Sequence, residues 1–121
     1  QEPDTLGFYA LSMGAVQRST LPDALKPSQR PEPCPILLLA RLAVDQRAQG
    51  RGIGAALLKD ALLRAYKLSS EVGFAALLVH CANDNAREFY LSQSSHFVPC
   101  PGAENHLMLP LRAMREFIDA L

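Results

Sequence analysis

The sequence predicts an α/β fold of the α+β kind with a mixed sheet, and two observations carry this prediction. Nearly continuous apolar runs at 36–44 and 74–81 have the length of buried strands. The segment between these runs is first polar and glycine-rich and then has helical periodicity. This order of strand, glycine loop, helix and strand indicates a parallel pair with a right-handed crossover.

The other elements follow from local patterns. Residues 6–16 are nearly free of charge between polar or proline-containing segments, which predicts a strand. Recurring prolines predict a loop over 17–35. Asn83 or Asp84 can cap a helix in which Ala86, Phe89 and Tyr90 share a face. We expect helices at 55–68, at 85–93 and from 112 onward, with further strands at 97–99 and 106–111.

Composition places the chain in the range of one soluble domain, which we expect to span 1–121. The 121 residues carry 12 basic and 12 acidic side chains and are 49% hydrophobic. No apolar stretch reaches the ~20 residues of a membrane span, and the first residues lack the pattern of a signal peptide, so we expect a cytoplasmic protein with no membrane partner. The three cysteines and three histidines have no metal-ligand spacing, so we expect neither a metal nor disulfides.

The glycine-rich loop before the first helix is the most informative stretch. Glycines there let backbone N–H groups approach an anion, and the helix start adds unpaired donors, which indicates a pyrophosphate site. The dinucleotide fingerprint is met weakly, because Glu71 precedes its strand instead of ending it. The Gly-Lys-Ser/Thr pattern of a Walker loop is absent.

The segment Gln49-x-x-Gly52-x-Gly54, after a Leu-Ala-Val strand, resembles the acetyl-coenzyme A motif of GNAT-type N-acetyltransferases. Together with 40–45, 78–80 and 86–90 in this order, it resembles the toxin acetyltransferases of bacterial type II toxin-antitoxin modules, over about residues 7–111. The resemblance implies a GNAT-like mixed sheet, flanked by helices and splayed between 36–44 and 74–81. That family begins with a strand and helices before the segment matching 6–16, so we expect an N-terminally short domain.

The resemblance also implies how acetyl-CoA is held as co-substrate. The pantetheine arm would lie in the gap of the splayed sheet, and the glycine loop would hold the pyrophosphate. The residues implied are Leu42, Ala43 and Val44 for the arm, and Gln49, Gly50, Arg51, Gly52, Ile53, Gly54 and Ala55 for the loop.

Tyr90 is the candidate catalytic residue. A phenol with an ordinary pKa of about 10 stays protonated at neutral pH, and the resemblance implies that a tyrosine here is the general acid. The alternative is a helix tyrosine that only packs beside Phe89. No carboxylate is placed as a strong base, so we expect an α-amine with a pKa of about 7.7–8.0 as acceptor.

The resemblance implies a toxin that acetylates the α-amino group of aminoacyl-tRNA and blocks translation, with a ribbon-helix-helix antitoxin and a homodimeric state. Arg41, Arg47, Arg51 and Arg87 are candidates for phosphate contacts of tRNA or cofactor, although arginines of this kind are more often solvated or ion-paired surface residues. Two other functions stay open: transfer to a small amine or a protein N-terminus, and a non-catalytic remnant that binds acyl-CoA or a partner.

Overall fold

The computed structural model describes residues 7–25, 32–44, 50 and 52–119. Within these ranges five strands form one mixed sheet in the order β1-β2-β3-β5-β4. The β2–β3 pair is parallel and the other pairs are antiparallel, which confirms the predicted mixed α/β class. The elements are β1 Gly7–Val16, β2 Cys34–Val44, α1 Ile53–Leu68, β3 Ala76–His80, α2 Asp84–Gln93, β4 Val98–Cys100, β5 Ala103–Pro110 and α3 Leu111–Asp119.

Two short 3-10 turns and an early start of β2 modify the predicted loop at 17–35. The turns are Arg18–Thr20 and Asp23–Leu25. Strand β2 begins at Cys34, so the loop prediction is wrong for its last two residues. Pro35 is accommodated because its carbonyl accepts a hydrogen bond from the Ala75 amide at 3.0 Å and needs no N–H in return. Residues 26–31 lie outside the described part of the chain.

Helix α1 buries the apolar stripe predicted for it. Leu58, Ala61, Leu62 and Ala65 are buried. The helix begins at Ile53, two residues before the predicted start, because Gly52 adopts the left-handed conformation (φ 75°) that lets the chain turn into the first helical turn.

Apolar residues cover both faces of the sheet, as predicted for a strand of continuous hydrophobicity. On one face Leu37, Leu77 and Leu109 pack in a cluster with buried residues of the three helices. On the other face Ile36 and Met108 pack in a second cluster with residues of the 17–25 segment and of β4. The central strands are therefore fixed by burial on two sides.

The sheet opens between β2 and β3. The parallel pairing stops at Leu39↔Val79, although β2 continues to Val44. On the β1 side, Leu11 pairs with Leu39 and Ala10 with Arg41, so Ala40 is the extra residue of a β-bulge. A bulge bends its strand and increases the local twist. Strand β2 therefore leaves β3 directly after Leu39, and the sheet is splayed at the place expected.

Candidate active site

A cleft occupies the gap between β2 and β3. It has a volume of about 410 Å³. Its walls come from the start of β1, the second half of β2, the end of β3 with Ala82 beyond it, and one face of α2. The lining residues are Phe8, Leu39, Ala40, Arg41, Leu42, Ala43, His80, Ala82, Ala86 and Tyr90.

A second cavity, of about 310 Å³, lies at the glycine loop. It is the neighbour of the first, because Val44 and Phe89 line it while the adjacent residues Ala43 and Tyr90 line the cleft. The two cavities follow each other along β2 and α2. The remaining lining residues are Gly50, Gly52, Ile53, Gly54, Ala55 and Gln93.

Hydrogen-bond donors collect at the loop cavity. The N-cap residue of α1, Gly52, has no side chain that could cap the helix, and the first turn contains no acidic residue. The N–H groups of Ile53, Gly54 and Ala55 therefore lack intrahelical acceptors and lie at the positive end of the helix dipole. A Cβ atom at Gly52 would meet no described residue within 4 Å, so the described part of the chain leaves the space beside the backbone open. This arrangement suits an anion. Gln49 and Arg51 lie outside the described residues.

Tyr90 reaches into the cleft from a packed position on α2. Its side chain is only 6% exposed, and its ring lies against those of Phe89 and Phe97, with centroids 5.3 Å and 5.7 Å away. No described residue hydrogen-bonds its hydroxyl group. Burial raises the pKa of Tyr90 to about 12, and the negative charge of the neighbouring Cys81 thiolate acts in the same direction. The phenol is therefore a protonated acid throughout the physiological range.

Asn83 fixes the start of helix α2 and thereby the direction of Tyr90. Its side-chain oxygen Oδ1 accepts a hydrogen bond from the Ala86 amide at 2.8 Å, so of the two predicted caps Asn83 is the one used. Ala86 and Tyr90 are one helical turn apart and both line the cleft. The predicted shared face of α2 is thus turned toward the core and the site.

The predicted arginines divide between the cleft and its surroundings. Arg41 is exposed and lines the cleft. Arg87 lines a separate polar cavity of about 520 Å³ with Cys81 and Asn105. Arg47 and Arg51 lie outside the described part of the chain; of the two predicted arginines that are described, Arg41 is the one that lines the gap.

Neither a metal cluster nor a membrane helix is found in the described residues. They hold no group of three or more His, Cys, Asp or Glu side chains able to bind a metal ion. No described helix is long and apolar enough to cross a membrane. Cys34, Cys81 and Cys100 are buried free thiols.

A polar group that the sequence did not single out for this site lies at the end of β3. His80 lines the cleft, and its Nε2 atom is 2.9 Å from the side-chain amide nitrogen of Asn105. The His80 ring stacks on that of His106, with centroids 4.6 Å apart. A histidine at the end of a buried strand was the one sign of this group in the sequence. Its partners Asn105 and His106 lie on β5, and only the pairing of β3 with β5 brings them next to His80.

The splayed sheet with a donor-rich loop beside it defines the class of protein. An acetyltransferase (GNAT) domain model matches residues 7–93, and the chain belongs to this family. It is 41% identical over 113 residues to a tRNA-acetylating toxin of Mycobacterium tuberculosis, an alignment covering 93% of this chain and 66% of the relative. The resemblance to toxin acetyltransferases is thereby confirmed.

Solved structures of toxins show the same fold. A crystal structure of a tyrosine-to-phenylalanine mutant of KacT matches with a TM-score of 0.82 and 28% identity, over 92% of this chain and 65% of KacT. AtaT complexed with acetyl-methionyl-tRNAfMet matches with a TM-score of 0.80 and 34% identity over the same shares. The GNAT-like fold is confirmed, and the chain spans slightly less than two thirds of the length of these proteins.

Proposed function

We propose that this protein is an acetyl-CoA-dependent N-acetyltransferase, a toxin that acetylates the α-amino group of aminoacyl-tRNA and blocks translation. The observation that carries the proposal is the gap between β2 and β3, with a protonated Tyr90 in it and a donor-rich loop at its end. A co-substrate that carries a thioester and a pyrophosphate needs three things from its site. The open edge of β2 can pair with its amides, Tyr90 can protonate its leaving group, and the loop can bind its phosphates.

The cofactor would extend along β2 into the loop. Beyond Leu39 no described strand pairs with the β3-side edge of β2, so backbone groups along 42–44 can pair with the amides of the pantetheine arm. The N–H groups at 52–55 would hold the pyrophosphate, with Gln49, Gly50 and Arg51 as further members of the same loop. AtaTR has been crystallised with acetyl-CoA, which supports this co-substrate.

Tyr90 would act as the general acid. Acetyl-CoA supplies a thioester, whose carbonyl carbon forms a C–N bond with the neutral amine while its C–S bond breaks. The Tyr90 hydroxyl donates its proton to the departing thiolate, and the amine releases one proton to solvent, from which Tyr90 is reprotonated. The raised pKa of Tyr90 keeps this proton available before each turnover.

An α-amine suits a site without a strong base. Its pKa of about 7.7–8.0 leaves a sizeable neutral fraction at pH 7, whereas a lysine at about 10.4 is almost fully charged. The relative from Mycobacterium tuberculosis is a tRNA-acetylating toxin, and AtaT is solved with acetyl-methionyl-tRNAfMet. Arg41 on the cleft wall is available for a phosphate of such an acceptor.

Partners follow from the same proposal. AtaT is solved with the C-terminus of its antitoxin AtaR, and KacTA with DNA. We extend the proposal to an antitoxin, of the ribbon-helix-helix class, and to a homodimer. Co-purification with the product of the adjacent operon gene and light scattering of the purified toxin test these two points.

The acceptor is tested with radiolabelled acetyl-CoA and the protein with its natural termini. We expect label in the aminoacyl group of charged tRNA and none in uncharged tRNA, in free amines or in a peptide N-terminus. Label only in a free amine or a peptide would support the second enzymatic function instead. Binding of acetyl-CoA without transfer to any acceptor would contradict an enzymatic role.

A further inference from the structure

His80 and Asn105 form a polar pair at the wall of the cleft. They come from adjacent antiparallel strands, since His80 pairs with His106 in the β3–β5 register and Asn105 precedes His106. Both residues are exposed, so neither is required to fill the core. The amide of Cys81 donates to the carbonyl oxygen of Asn105 at 2.7 Å, which fixes Asn105 against the end of β3.

We propose that His80 binds the acceptor of the acetyl group, donating a hydrogen bond from Nδ1 to the ester carbonyl oxygen of the aminoacyl group. Asn105 is the positioning residue that holds the ring in the tautomer required. This inference rests on the proposed function, because it assigns a contact to the acceptor of that reaction.

The tautomer follows from the contact between His80 and Asn105. The atom of Asn105 that faces the ring is the amide nitrogen, which only donates, so Nε2 of His80 accepts. In the neutral ring the proton then lies on Nδ1. No described residue hydrogen-bonds Nδ1, and the two ring nitrogens point in diverging directions. With Nε2 engaged by Asn105, Nδ1–H is the remaining polar group of the ring, and His80 lines the cleft.

His106 holds the ring of His80 in place and stays uncharged. The two rings are nearly parallel, with an interplanar angle of 22°. Burial lowers the pKa of His106, and the proximity of His80 lowers it further. Nδ1 of His106 is buried and has no hydrogen-bond partner among the described residues. A neutral, partly buried ring thus gives His80 a flat surface that restricts its rotation.

The ester carbonyl oxygen of the aminoacyl group is the atom that the Nδ1–H group of His80 can bind without inhibiting the reaction. An amine must keep its lone pair for attack on the thioester, so a donor to the nitrogen would oppose the chemistry. The carbonyl oxygen next to the α-carbon is an acceptor and takes no part in bond formation. A contact to it orients the amine, so its loss should raise KM for the acceptor more than it lowers kcat.

Two substitutions of His80 distinguish the role of Nδ1 from that of Nε2. In His80→Asn the amide occupies about the place of Nδ1, whereas in His80→Gln it occupies about the place of Nε2. We expect His80→Gln and His80→Ala to raise KM for aminoacyl-tRNA about three- to tenfold, as for one lost hydrogen bond, and His80→Asn to stay within about twofold of the wild type. KM for acetyl-CoA should change in none of them. His96→Asn, at an exposed histidine paired with Glu116 at 3.0 Å, is the control and should leave all constants unchanged.

Asn105 is tested by its coupling to His80 and by a spectroscopic readout. Asn105→Ala should raise KM for the acceptor, but the double variant with His80→Ala should be no worse than His80→Ala alone. Ring ¹⁵N shifts should show the Nδ1–H tautomer of His80 in the wild type and a mixture in Asn105→Ala.

The outcomes distinguish the two proposals. If the wild type acetylates aminoacyl-tRNA and all His80 variants keep its KM, or His80→Gln is better than His80→Asn, the acceptor contact is wrong and the proposed function stands. An Nε2–H tautomer in the wild type overturns the role of Asn105. If the wild type transfers acetyl to no aminoacyl-tRNA, the proposed function fails, and this inference fails with it.

Discussion

The ring of Tyr90 lies 5.7 Å from the ring of Phe97, and the two planes are inclined by 57°. Phe97 is buried in the cluster that α1 and the central strands form. The aromatic packing therefore orients the phenol, while its hydroxyl group has no hydrogen bond to a described residue. A hydroxyl that contributes little to the fold is available for chemistry.

Replacement of Tyr90 by phenylalanine should remove catalysis and leave the fold intact. Loss of a general acid lowers kcat by about 10²- to 10⁴-fold. The affinity for acetyl-CoA should stay within about twofold, because the ring is kept. Transfer assays and calorimetry on the variant measure both. Tyr66→Phe, at a partly buried tyrosine of α1 that lines a different cavity, is the matched control and should retain full activity. Full turnover by the Tyr90 variant would exclude Tyr90 from the mechanism.

The raised pKa of Tyr90 predicts how stability depends on alkaline pH. The unfolded chain loses this proton near pH 10 and the folded chain near 12. Between these values the unfolded state binds fewer protons, so the free energy of unfolding falls as pH rises. In Tyr90→Phe this contribution is absent. The difference in Tm between wild type and variant should be constant up to about pH 9. From about pH 10 to 12 the Tm of the wild type should fall relative to that of the variant. Parallel melting curves over the whole range would show that the pKa is not raised.

Gly52 and Gly102 offer a matched pair for the loop cavity. Both have positive φ, 75° and 74°, and at both a Cβ atom would meet none of the described residues within 4 Å. Alanine should cost about 1–2 kcal/mol of unfolding free energy at either position. Only Gly52→Ala should weaken acetyl-CoA binding, by about 10- to 100-fold, because relief of the strain turns charge-assisted N–H donors away from the phosphates. Calorimetric titration of both variants tests this, and equal Kd values would place the pyrophosphate elsewhere.

Gly7 and Gly73 offer a matched pair for packing. A Cβ atom at Gly7 would lie 2.8 Å from Cδ1 of Leu57 and 2.9 Å from the carbonyl oxygen of Ala43, whereas at Gly73 it would meet nothing. Gly7→Ala should lower the free energy of unfolding by about 1–3 kcal/mol. Gly73→Ala should leave it unchanged or raise it by up to about 1 kcal/mol. Denaturant titrations measure both, and an unchanged midpoint for Gly7→Ala would contradict the close approach of β1 to β2 and α1.

Element types and order were predictable because they depend on local periodicity. The stripe of α1 and the continuous apolar runs of β2 and β3 are visible in single segments of sequence. The boundaries depend on tertiary context. Pro35 belongs to β2 because it pairs with Ala15 of β1, which is distant in sequence. The bulge at Ala40, which opens the sheet, is defined by pairing with another strand and leaves no signal in the run itself.

The site was predictable where one segment carries it. The glycine loop and Tyr90 each belong to a continuous motif, and the described members of both line the two adjoining cavities. Their roles toward acetyl-CoA stay a prediction. The contact between His80 and Asn105 was not predictable, because 25 positions separate these residues and only the β3–β5 register brings them together.

The short parallel seam between β2 and β3 has a mechanical consequence. Three residue pairs join the β1–β2 hairpin to the rest of the sheet. A molecule that lies in the gap and hydrogen-bonds both parts would connect them beyond these three pairs. The rigidity of the sheet would then depend on whether the gap is occupied. Slower amide exchange on both sides of the seam would then accompany binding, and the sheet would be most rigid when the gap is occupied.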